Sequence, residues 1–103
     1  MCVARIYSGD ADGCVPYAGT EEWTRELGFQ QLEAWRPWLS GTNHNETCQN
    51  CVTAGYVTTY KVNAAPENDF SFVTIRLAGH MVPTFQPASS LSFLSRFLAR
   101  KPF

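Results

Sequence analysis

The sequence predicts a mixed α/β fold whose chemistry lies in two loops at strand ends. Three observations carry that prediction. Short β-rich runs (Val3 to Tyr7, Val52 to Tyr60, Phe70 to Leu77) are interspersed with segments of helical spacing. Two of the runs stop abruptly in Gly/Pro loops that hold acids or a histidine. These are Ser8-Gly9-Asp10-Ala11-Asp12-Gly13-Cys14-Val15-Pro16 and Gly79-His80-Met81-Val82-Pro83. Finally, 45% apolar against 17% charged residues, in 103, is a composition for packing, in one domain or a piece of one.

The elements follow in order. Val3-Ala4-Arg5-Ile6-Tyr7 reads as a strand entering a loop that runs to Pro16. Thr20 reads as a helix N-cap, with Glu21 and Glu22 in the first turn, where carboxylates suit the dipole. Trp23, Glu26 and Leu27 continue at helical spacing, and Gly28 is a stop. Leu32 to Leu39 is aromatic and broken by Pro37, which reads as a packed irregular stretch, and Ser40 to Asn50 as a polar loop. Val52 to Tyr60 and Phe70 to Leu77 read as an antiparallel hairpin around a turn at Ala64 to Asp69. Pro87 suits the first position of a final helix, with Leu91, Leu94, Phe97 and Leu98 as its apolar stripe. Arg96, Arg100 and Lys101 then fall where cations favour the helix C-terminus. Such a sheet is a poor free-standing unit, because its first strand has no neighbour on at least one side.

The net charge of −1 offers no basic surface for nucleic acid or anionic membrane. No apolar run approaches the roughly 18 residues a bilayer span needs. Met1 to Tyr7 is too short for a signal-peptide core, so any secretory address is expected upstream of Met1. Asn45-Glu46-Thr47 is an N-glycosylation sequon and, with four cysteines, tilts the reading toward the secretory route.

His80 follows an alternating strand, with Gly79 giving backbone room and Val82-Pro83 fixing the exit. That context favours a positioned general base over a solvated side chain. Asp10 and Asp12 compete for the acid beside it. Asp10 can cap its own turn, whereas Asp12 sits deeper and can reach an imidazole from the next strand end, so spacing leans toward Asp12. An acid and then a histidine at strand ends are the second and third members of an α/β-hydrolase triad. No serine here sits in a Gly-x-Ser-x-Gly elbow, so the nucleophile is expected elsewhere.

The remaining candidates have plainer readings. Cys14 reads as a small buried residue rather than a reactive thiol. Cys48 and Cys51 form a candidate local disulfide; with His44 they offer three soft ligands and no fourth, so no metal is expected. Trp23, Trp35, Trp38 and the tyrosines read as core and sheet-packing residues rather than a carbohydrate or peptide platform.

The segments IYSGDADGCVPYAGTEEW and VTIRLAGHMVPTFQPASSLSFLSRFL resemble the two C-terminal signatures of the serine carboxypeptidases, acid-active α/β-hydrolases of vacuole and lysosome. AGYVTTY is similar to that family's hairpin, so the resemblance covers nearly the whole chain. It implies the C-terminal part of an α/β-hydrolase domain, with Asp12 orienting the histidine, His80 as base and Asp10 as a structural loop residue. Met81 would line the leaving-group pocket. The implied partners are peptide C-termini and the N-terminal portion or large chain of the same enzyme, with no cofactor and a vacuolar, lysosomal or secreted location. The chain alone is expected to be inactive. The same triad serves carboxypeptidase-like acyltransferases, and a truncated binding relative is the non-enzyme alternative. The CxxC departs from the family, whose segment here is shorter.

Overall fold

The structure, a computed structural model, describes residues 3–40, 51–62 and 69–103. Its elements are β1 (Val3–Gly9), α1 (Tyr17–Glu26), β2 (Gln30–Ser40), β3 (Val52–Lys61), β4 (Asp69–Ile75), α2 (Val82–Phe85) and α3 (Pro87–Leu98). The strands form one mixed sheet in the order β1-β4-β3-β2. β1 runs parallel to β4, whereas β4, β3 and β2 are successively antiparallel. The parallel pairing sets the site, because it ends β1 and β4 side by side, Gly9 opposite Ile75.

Alternation along β4 divides the sheet into two faces. Val73 and Ile75, with Val57 of β3, Trp38 of β2 and Phe93 of α3, build the main core on one face. There Phe93 packs on Tyr7 at 5.1 Å and on Phe103 at 5.4 Å between ring centroids. On the other face Phe70 meets Tyr60 and Phe29, and Phe72 takes the edge of Trp35 at 5.6 Å. Both faces are buried at β4, where all residues from Phe70 to Ile75 are at most 6% exposed. Arg5 interrupts the apolar pattern of β1 and is paired across the sheet through its two terminal nitrogens. It donates to Asp69 at 2.8 and 3.3 Å and to the Ser71 hydroxyl at 2.8 Å.

The hairpin is formed by β3 and β4 as expected, although its turn lies outside the described residues. Three other expectations change. The aromatic stretch around Pro37 is not irregular but lies in β2, whose pairing with β3 carries several register shifts. Pro37 is tolerated because β2 is the outer strand, where a missing N–H interrupts no ladder beyond it. Helix α1 begins three residues before Thr20, behind Pro16, whose φ of −59° suits a helix entrance. Glu21 therefore falls in the second turn and faces Arg25 at 3.7 Å, while Gly28, at φ +77°, ends the helix region as expected.

The third correction concerns α3. Pro87 starts it, but its inward residues are Ser89 and Phe93, and Leu91, Leu94 and Leu98 are exposed. The helix carries apolar residues on more than one side, and the sheet takes the side whose ring stacks with Tyr7 and Phe103. Arg96 likewise does more than complement a dipole. It donates to the Leu39 carbonyl at 2.7 Å and lies over the Trp38 ring at 5.6 Å. Of the three tryptophans only Trp38 is fully buried; Trp23 and Trp35 are partly exposed.

Candidate functional site

Gly9 brings the two loops together. A Cβ at this position would lie 2.6 Å from the Gly79 carbonyl oxygen and closer still to that of Ala78, so only glycine lets these backbones meet. Across the contact, the Asp10 N–H donates to the Ile75 carbonyl at 3.0 Å and the Ala11 N–H to the Ala78 carbonyl at 2.9 Å. The acid-bearing loop is thus laced to the histidine-bearing loop by main chain before any side chain is counted.

Asp12 and His80 meet across this junction. The Asp12 Oδ2 lies 3.1 Å from His80 Nδ1. The other oxygen, Oδ1, accepts the backbone N–H groups of Cys14 at 2.8 Å and Val15 at 3.1 Å. One oxygen therefore fixes the carboxylate in its own loop and leaves the second for the imidazole. Desolvation pushes the Asp12 carboxyl upward. The Val15 and Cys14 amides, then the His80 hydrogen bond and charge, outweigh it and hold the group below its ordinary 3.8. An ionised carboxylate only accepts, so the proton of the contact belongs to Nδ1, and in the neutral ring Nε2 carries the lone pair.

Exposure differs across the pair. The Asp12 side chain is 6% exposed and that of His80 60%. The carboxylate is shielded while the imidazole is open to solvent. Beside them is a cavity of about 360 Å³, lined by Tyr7, Ser8, Val15, Thr20, Trp23 and Val82 together with the pair. Met81 is exposed directly after His80, at the entrance to α2.

Asp10 does not cap its own turn. Its Oδ1 accepts the backbone N–H of Leu77, on the far side of the junction, at 2.7 Å. Leu77 has φ of 56°, a left-handed conformation that costs a non-glycine residue roughly 1–2 kcal/mol. That contact and the Gly9 approach were not foreseen from sequence. The two-amide grip on Asp12 was also missed, although Asp followed by Gly is a familiar signal for an aspartate bonding to amides two and three residues on. Cys14 is exposed rather than buried, and its thiol is free. Cys51 takes part in a disulfide, while its expected partner Cys48, with His44 and the Asn45 sequon, lies outside the described residues. Among the described residues, no helix is long and apolar enough to cross a membrane.

Comparison with known proteins gives one consistent result. The family model described as serine carboxypeptidase matches residues 3–100. Serine carboxypeptidase-like 21 of Arabidopsis thaliana is 44% identical over 96 residues, 93% of this chain and 16% of the relative. Serine carboxypeptidase-like 20 of the same plant is 43% identical over 95 residues, 92% and 16%. Serine carboxypeptidase 1 of Hordeum vulgare is 40% identical over 96 residues, again 93% and 16%. The chain thus spans 16% of the length of each of these relatives.

Proposed function

The chain belongs to the serine carboxypeptidase family, and from that premise we propose that it carries the acid and base of a Ser-Asp-His triad that cleaves C-terminal residues from peptides. The observation that carries this reading is the 3.1 Å approach of Asp12 to His80 Nδ1, with Nε2 left open. In the proposed reaction a serine hydroxyl, contributed by polypeptide outside this segment, attacks the carbonyl carbon of the last peptide bond. His80 Nε2 takes the hydroxyl proton and delivers it to the departing amine. Water then repeats the sequence on the acyl-enzyme, releasing the shortened peptide and regenerating the serine. Asp12 holds the ring in the productive tautomer and stabilises the imidazolium.

Met81, exposed beside the base, is the residue of this segment set to touch the departing side chain. The segment is the C-terminal portion of an α/β-hydrolase domain in this reading and has no turnover alone. The edge of β1, unpaired among the described residues, and the exposed Leu91, Leu94 and Leu98 favour it, since such surfaces call for covering polypeptide. A vacuolar, lysosomal or secreted location with glycosylation at Asn45 belongs to the same proposal.

The test is peptidase activity on N-blocked dipeptides, measured on the enzyme containing this segment and on its variants. Asp12→Asn lowers kcat by about 10⁴-fold, the loss typical when a triad acid no longer selects the tautomer. His80→Ala loses a comparable factor. Undiminished kcat in either variant refutes the assignment.

A further inference from the structure

Asp10 holds the end of the other strand rather than its own turn. Its carboxylate accepts the Leu77 N–H at 2.7 Å. Leu77 is one of two non-glycine residues with positive φ among those described. A leucine stays in that region only when its surroundings hold it there. The main-chain bonds to the Ile75 and Ala78 carbonyls bracket Leu77 on both sides, and the Asp10 carboxylate closes the bracket. Leu77 stands three residues before His80, so its torsion sets the direction in which Ala78, Gly79 and His80 leave the sheet.

We propose that Asp10 is a positioning residue for His80, acting through the backbone of Leu77. The proposal rests on the reading of Asp12 and His80 as an acid–base pair and divides the labour between the two aspartates. Asp12 meets the imidazole, whereas Asp10 grips the main chain that carries it. What position 10 must supply is an acceptor oxygen of the right reach, which asparagine retains and alanine lacks.

The test uses the enzyme containing this segment, labelled with nitrogen-15. Two-bond proton–nitrogen correlations report which ring nitrogen of neutral His80 carries the proton, and hydrogen exchange reports the Leu77 amide. Wild type and Asp10→Asn are expected to hold the proton on Nδ1 and to protect the Leu77 amide. In Asp10→Ala the Leu77 protection falls at least tenfold and the Nδ1 preference is lost, while Val57 and Val73 in β3 and β4 keep their protection. A purely structural role would leave the tautomer unmoved. The proposal is overturned if Asp10→Ala keeps the Nδ1 preference, or if the wild-type Leu77 amide is unprotected. Should Asp10→Ala also lose the β3–β4 protection, Asp10→Asn decides, and loss of the preference there with the sheet intact overturns the proposal. Asp12→Asn is the separate control. An Nδ1 preference that survives it refutes the Asp12–His80 pairing itself, not the role of Asp10.

Discussion

Replacing Gly9 by alanine should separate the two loops that build the site. The new Cβ would stand 2.6 Å from the Gly79 carbonyl oxygen and 2.7 Å from the Ala78 carbonyl carbon. Carbon needs roughly 3.5 Å from such atoms, so one loop must retreat by about 1 Å. The obstructing atoms are backbone and cannot rotate away as a side-chain tip would. Overpacking of this kind costs about 1–3 kcal/mol. The same retreat weakens the bonds from Asp10 N–H to Ile75 and from Ala11 N–H to Ala78, each worth about 0.5–1.5 kcal/mol. A loss near 3 kcal/mol lowers the melting temperature by roughly 6–12 °C on the scale of a 150–250-residue domain, and by less in a larger one. It also stretches the 3.1 Å Asp12–His80 contact beyond hydrogen-bond range. The assay is a thermal melt of the enzyme containing this segment, followed by circular dichroism and run beside Gly13→Ala and Gly79→Ala. Gly13 has open space around its Cβ position, and Gly79 meets only the Phe85 ring, at 3.0 Å, so the expected order of damage is Gly9, Gly79, Gly13. If Gly9→Ala melts with the wild type, the close-approach argument is wrong.

Two further outcomes are expected. The Asp12 carboxyl is held below 3.8 in the folded chain, so its contribution to stability is present above that ordinary value and is lost as pH falls through the folded one. Urea denaturation across this acid range should show the slope, reduced in Asp12→Asn; equal slopes in the two proteins would remove the argument. Trp38→Phe keeps most of a ring that is 1% exposed but strips the Thr74 carbonyl of its Nε1–H donor at 2.9 Å. That should cost about 1–3 kcal/mol, or roughly 2–12 °C in a melt on the scale of a 150–250-residue domain, and an unchanged melting temperature would show that another donor serves Thr74.

The parts legible in sequence were those governed by local pattern. β-rich composition marked β3, alternation marked β4, Pro87 marked the start of α3, and Gly28 marked the end of α1. The loops carrying Asp12 and His80 were readable because Gly, Pro and acids punctuate so sharply. What failed depended on neighbours. Pro37 forbids a central strand but not an outer one, and the position of β2 in the sheet is a tertiary fact. α3 offers apolar residues on several sides, and periodicity alone could not tell which the Tyr7 and Phe103 rings would select. Within the site, spacing leaned toward Asp12 and the family resemblance chose it, but the grip of Asp10 on Leu77 links positions 67 residues apart and leaves no local signature.

The central claim is that this segment works inside a serine hydrolase. A fluorophosphonate probe, which labels activated serines, applied to source material tests it most directly. Proteins carrying this sequence are recovered with an antibody and resolved with and without reductant. The account predicts a labelled species several times heavier than the 11.5 kDa of this chain, its label lost in His80→Ala. An unlabelled species near 11.5 kDa as the sole product would contradict it and leave a binding role in its place.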